Sequence, residues 1–281
     1  MLRLVLYRWW RLRRVLIFCL IGPPIALNVS SWLLFEPWSA DLLVDANANL
    51  FFLVNWVVLT ILVTIWPTTF PSVVLAVFGI ILFCVFAPLA AANDHIAALI
   101  DVRSGLVNIV GVVAAIVAAY VIFLIFERVR TPGGVLFGAE VDIAAAPEAA
   151  AARMTTAEVF DNATVASIER EGDIYTIRLK SGSEIQVEET IDQGGLRIST
   201  ISGYPQRPGA VSYAVTTFAP SARGVSMRMD DEVSNECVSR IVMYWFGDIV
   251  ADAASSHRDR IEGRRPVSVR DARIAEHQKL K

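Results

Sequence analysis

Histidine is scarce in this chain, and its placement limits the chemistry available. His95, His257 and His277 are the only three. None falls between residues 131 and 256, so no Ser–His or Cys–His pair can be assembled from that stretch. Cys19, Cys84 and Cys237 have neither metal-type spacing nor the pattern of a disulfide framework. No phosphate-binding GxxxxGKS/T loop, GxGxxG run or HExxH run occurs. Carboxylates stand in neighbouring pairs, Glu188 with Glu189 and Asp230 with Asp231. The first pair is read at a strand end and the second at a helix start, where solvated or capping acids are the usual case. The sequence therefore predicts no catalytic residue, no cofactor and no metal.

What remains is packing chemistry. Gly111, Ala115 and Ala119 recur every four residues, a small face that lets another helix approach closely. Its partner is either a neighbouring helix of the same chain or a second copy. Asn28, Asn55 and Asn108 lie in otherwise apolar runs, where three amides could hydrogen-bond between helices. Arg3, Arg8, Arg11, Arg13 and Arg14 are interleaved with Leu, Tyr and Trp in residues 1–14. That mixture suits the headgroup layer of an anionic membrane, or simply sets orientation.

The elements that would position these residues follow from charge. Of the 281 residues, 55 % are hydrophobic and 19 % charged, and the mean hydropathy is +0.52. Residues 1–126 carry 6 Lys/Arg and 5 Asp/Glu, and the remaining 155 carry 19 and 23. Long charge-free runs, each near the ~20 residues that a bilayer requires, predict a four-span membrane bundle over 15–126. The spans are placed at about 15–35, 50–66, 70–91 and 106–126. Basic residues concentrate before the first span and after the last, which predicts a multi-pass protein of a bacterial-type inner membrane with both termini cytoplasmic.

Residues 127–156 read as a linker and 157–256 as a cytoplasmic α+β domain. Segments 164–170, 174–180 and 184–189 alternate in period two around Gly172 and Gly182, which predicts a three-stranded meander. Further strands are expected at 196–201, 211–218 and 225–229. From Asp231 to about Ala254 the period becomes three and four, predicting an amphipathic helix that begins on its acids. Val238, Ile241, Val242 and Trp245 form its apolar face, which either packs on the sheet or meets a partner. Residues 257–281, with 8 Lys/Arg against 4 acids, read as a polar tail.

TVASIEREGDIYTIRLKSGSEIQVEETI, residues 164–191, resembles the opening strands of the LytTR family of DNA-binding domains. Some bacterial members of that family join several N-terminal spans to such a domain. The resemblance implies a membrane-tethered transcription regulator, but RISTISGY after Leu196 replaces the family's His-Arg-Ser stretch, so no DNA contact carries over. The net charge of −4 after residue 126 (19 − 23) disfavours nucleic acid, whose binding draws on phosphate contacts. The leading expectation is a non-enzymatic inner-membrane protein whose cytoplasmic α+β domain binds a protein partner in regulation or assembly. The alternatives are the LytTR-like regulator and a lipid-handling membrane enzyme. Expected partners are membrane lipid, an unidentified protein and a second copy of the chain.

Overall fold

A computed structural model describes residues 2–34, 53–54, 56–62, 70–91, 105–160, 164–205, 209–264 and 267–269. The chain divides into two compact units, Met1–Glu127 and Arg128–Lys281.

The first unit is helical. Helix α1 (Leu2–Arg11) is amphipathic, and α2 (Arg13–Leu34) follows it directly, with Pro23 and Pro24 inside. Two further helices, α3 (Phe70–Ala91) and α4 (Gly105–Phe126), carry no ionisable group other than Cys84 and Tyr120. Helix α2 packs on α3, and α3 on α4. Phe18 meets Phe78 with ring centroids 5.4 Å apart, and Val15, Val73, Val74 and Val77 are buried. The Trp56 indole donates to the Leu16 carbonyl at 3.0 Å.

The four-span bundle is corrected by this structure. Among the described residues, no helix is long and apolar enough to cross a membrane. Helix α2 opens on Arg13 and Arg14 and contains two prolines. Of the 50–66 segment, only 53–54 and 56–62 are described, as helix. An all-apolar helix can be buried in protein as well as in lipid, and composition alone does not separate the two. The inner-membrane location, the multi-pass topology and the reading as an integral membrane protein with a partner-binding domain therefore fall. The membrane-tethered and membrane-enzyme alternatives fall with them.

The second unit is built on a sheet. Its elements are β1 (Val135–Ile143), α5 (Pro147–Ala152), α6 (Thr156–Phe160), β2 (Val165–Glu171), β3 (Ile174–Leu179), β4 (Glu184–Asp192), β5 (Arg197–Gly203), β6 (Val211–Ser221), β7 (Gly224–Ser234), α7 (Val238–Gly247) and α8 (Ile249–Ile261). All seven strands pair antiparallel in the order β1-β7-β6-β5-β4-β3-β2. Strands β1 and β2 are thus the two edges. The chain crosses from one to the other through α5, which packs on β6 and β7, and α6, which packs on β2. Helix α8 packs on β1 and β7.

Period-two alternation decides which side chains meet these helices. Ile143, Val225, Met227, Phe218 and Ile198 point to the covered face and form one core with Ala150, Ala151, Met154 and Ala254. Tyr175, Ile177 and Val187 form a second core on the same face. Gly224 closes the β6–β7 hairpin at φ 125°, and a Cβ there would stand 2.6 Å from the Ile143 carbonyl oxygen. Glycine is required at that point on both counts.

The structure differs from expectation at β1, at the helix after β7, at Glu189, which is buried within β4 rather than solvated at its end, and in the tail, where residues 257–261 complete α8 with His257 and Asp259 buried. The segment read as a linker carries β1, whose outer positions are Leu136, Gly138, Glu140 and Asp142, and whose inner ones are Val135, Phe137, Ala139, Val141 and Ile143. The helix expected from Asp231 starts instead at Val238, because β7 runs on to Ser234 to match the full length of β1. It ends at Gly247, and Asp248 turns the chain at φ 49° into α8.

Arg130 ties the start of this unit to the start of α7. It bridges to Cys237 in the backbone and donates to the Asn235 carbonyl at 3.2 Å. Its guanidinium lies 3.6 Å from the buried Glu236 carboxylate, which Arg240 approaches to 3.5 Å from the other side.

Candidate functional site: the inner face of the sheet

Strand register places one row of side chains straight across the covered face. Glu189 on β4 pairs with Thr200, Thr200 with Ala214, Ala214 with Asp231, and Asp231 with Phe137. The row beside it reads Tyr175, Val187, Ser202, Ser212, Val233, Val135. Three inter-strand steps of about 4.8 Å set the two carboxylate-bearing positions about 14 Å apart.

The two ends of the first row have different surroundings. Glu189 is 6 % exposed. Its Oε2 accepts from the Thr156 amide at 2.5 Å and its Oε1 from the Tyr175 hydroxyl at 3.2 Å. Burial, with the Glu189 charge beside it, pushes the Tyr175 hydroxyl above its ordinary range. These bonds attach the first turn of α6 to the sheet, a structural task that satisfies both carboxylate oxygens.

Asp231 sits in a more open place. Its Oδ1 accepts from the Ser212 hydroxyl at 2.6 Å. Burial raises the carboxyl above the usual carboxylate range, and the Ser212 bond offsets this only in part. Yet Thr200, Ser202, Ser212, Ala214, Asp231 and Phe137 are all half-buried, whereas Thr216, Met227 and Phe218 farther along the same strands are buried. Solvent therefore reaches the middle of the inner face. Tyr244 on α7 stands at the edge of this patch, its ring centroid 5.5 Å from that of Phe137. Burial holds its hydroxyl protonated well above the ordinary tyrosine range, reinforced by Tyr204 and Asp231 nearby.

An open floor of three hydroxyls, one carboxylate and an aromatic rim can hold a small molecule by a few polar contacts and apolar walls. Among the described residues, no group of three or more His, Cys, Asp or Glu could hold a metal ion.

The residues singled out from sequence lie elsewhere. Ala119 is buried in α4. Gly111, Ala115 and Asn108 are on the same helix and Asn28 is on α2, but their side chains lie outside the described residues, as does Asn55 entirely. Arg3 is on α1, its side chain likewise outside the description. Arg8 is buried. Arg11 donates to the Tyr7 hydroxyl at 3.2 Å. Arg13 stacks 4.6 Å from the Trp10 ring centroid and donates to the Trp10 carbonyl at 2.6 Å, and Arg14 is half-buried. On α7, Val238, Ile241 and Val242 are half-buried while Trp245 is 50 % exposed. His257 is buried within α8.

Asp231, Ser212 and Phe137 were missed by the sequence reading. The signal was present: along GVSMRMDDEVS the inner positions read Val225, Met227, Met229, Asp231, Val233. An acid in the phase of a core stripe marks a position with a task.

No protein family model matches the chain, and no curated protein matches it. Solved structures similar to part of it include protein CV1439 from Chromobacterium violaceum, at 13 % identity and TM-score 0.34, over 47 % of this chain and 99 % of that one. Protein MLL2253 from Mesorhizobium loti is similar at 14 % identity and TM-score 0.36, over 45 % of this chain and 96 % of that one. The protein XoxI from Bacillus cereus is similar at 10 % identity and TM-score 0.34, over 46 % and 95 % respectively.

Proposed function

We propose that the α+β unit is a binding module for a small amphipathic molecule, seated on the inner face of the sheet between β5 and β1. The observation that carries this reading is the half-buried patch of Thr200, Ser202, Ser212, Ala214, Asp231 and Phe137, beside Ile198, Thr216, Phe218 and Met227, which are buried farther along the same strands. A sheet face covered by helices normally closes fully, because each exposed apolar atom there forfeits burial. Here the floor is hydroxyl-rich, so solvent or a ligand satisfies it at little cost. Binding rather than catalysis is favoured because the described residues of the patch offer no histidine, cysteine or lysine to pair with the Ser212 hydroxyl.

Ala214 lies at the centre of the row, and its methyl group leaves the floor flat. Calorimetric titration of the whole chain with hexanol, a neutral probe, tests the reading. The wild type should give a saturable heat, and Ala214→Trp, which fills the patch, should weaken that binding at least about tenfold. Equal affinity in the two proteins would overturn the assignment.

A further inference from the structure

We infer that the patch is built for an organic cation, a substituted ammonium group whose charge meets Asp231 and whose alkyl surface meets the rings of Phe137 and Tyr244. This rests on the small-molecule reading above and names the chemistry of its ligand.

Asp231 is directly opposite Phe137 across the β1–β7 ladder. Phe137 packs at 5.5 Å against Tyr244, and Tyr204 lies near enough to Tyr244 to act on its hydroxyl. One carboxylate is thereby grouped with three aromatic side chains at a half-buried position. Aromatic faces carry negative charge and attract a cation whose hydration shell is weak, as that of an alkylated ammonium is. A calcium or magnesium ion would need about six or more oxygen ligands instead, which one carboxylate and a few hydroxyls do not supply.

An anion is disfavoured by the same inventory. Arg170 lies over the Tyr175 ring at 5.1 Å on the far side, and Arg240, whose charge reaches Tyr244, is engaged at 3.5 Å with Glu236. A neutral ligand leaves unexplained why an acid stands at a position in phase with Met227, Met229 and Val233. A carboxylate partly withdrawn from water interacts more strongly with an arriving positive charge than one on the surface does.

Titration of the full-length protein with hexyltrimethylammonium, hexanol and hexanoate separates the possibilities. The expected result is that hexyltrimethylammonium binds the wild type at least about tenfold more tightly than hexanol, and hexanoate more weakly than either. In Asp231→Asn the preference for the cation over hexanol should shrink to within about twofold. Phe137→Leu, which keeps the carboxylate and removes a ring, should lower the preference several-fold. Equal binding of cation and alcohol by the wild type, or a preference that persists in Asp231→Asn, would overturn the inference. If hexanol binding nonetheless remains sensitive to Ala214→Trp, the small-molecule reading stands alone. Absence of binding by all three probes would sink both.

Discussion

Glu189 and Asp231 occupy the same row of the same sheet face, yet their surroundings assign them opposite work. Glu189 is sealed and has both oxygens engaged by the Tyr175 hydroxyl and the Thr156 amide. Asp231 is reached by solvent and holds a single serine hydroxyl on Oδ1. The difference comes from what lies above each. Around Glu189 the helix α6 supplies a backbone donor, whereas Asp231 faces the edge of α7 and its tyrosine. A buried acid with its bonds made contributes to the fold, and an acid at a partly wet position remains available to a ligand.

Substitutions in the sealed region should cost the most. Met227 is fully buried in the larger core, and Met227→Ala should lower unfolding stability by about 2–5 kcal/mol in urea denaturation. Thr200→Ala, on the open floor, should change it by under about 0.5 kcal/mol. Similar losses at the two positions would erase the contrast between sealed and open regions. Comparable in size is Glu189→Ala, which leaves the Tyr175 hydroxyl and the Thr156 amide buried without their acceptor. The expected loss is about 1–3 kcal/mol for each stranded donor, partly recovered in Glu189→Gln, which retains one carbonyl oxygen.

Asp231→Asn should act in the opposite direction, with a smaller effect. Because burial raises its pKa in the folded state, the folded protein holds this proton more tightly than the unfolded chain does. The stability that the protonated form carries is present below the unfolded value, about 4 for an aspartate. It is lost as pH rises through the folded value. Asparagine stays neutral and can still accept from Ser212, so Asp231→Asn should raise the melting temperature at neutral pH. The gain should fade as pH falls through the folded value and be gone below about 4. A lower melting temperature at neutral pH would mean that Asp231 is a sealed structural acid like Glu189.

Much of the sheet was legible in the sequence, because alternation is a local property. The turns at Gly172 and Gly182 take φ 62° and 86°, conformations that glycine adopts without strain, and the strands around them lie where period two places them. Strand β1 also alternates, but Gly133, Gly134 and the alanine-rich run after it read as a linker, and its pairing with β7 joins residues nearly a hundred positions apart. That pairing also extends β7 through Asp230 and Asp231, which in isolation have the composition of a helix start. The apolar N-terminal helices misled in a different way, since uniform hydrophobicity reports burial and not the burying medium. The patch was hidden because it exists only once β5, β6, β7 and β1 are side by side.

The central claim is that solvent and small molecules reach the inner face at Ala214 but not two residues farther along β6 at Thr216. The most direct measurement is thiol labelling of Ala214→Cys and Thr216→Cys in the native chain, where Cys19, Cys84 and Cys237 are all buried and provide a slow background. The Ala214→Cys thiol should react at least about tenfold faster than the Thr216→Cys thiol, since only the former is reached without local opening. Equal rates at the two positions would contradict an open patch.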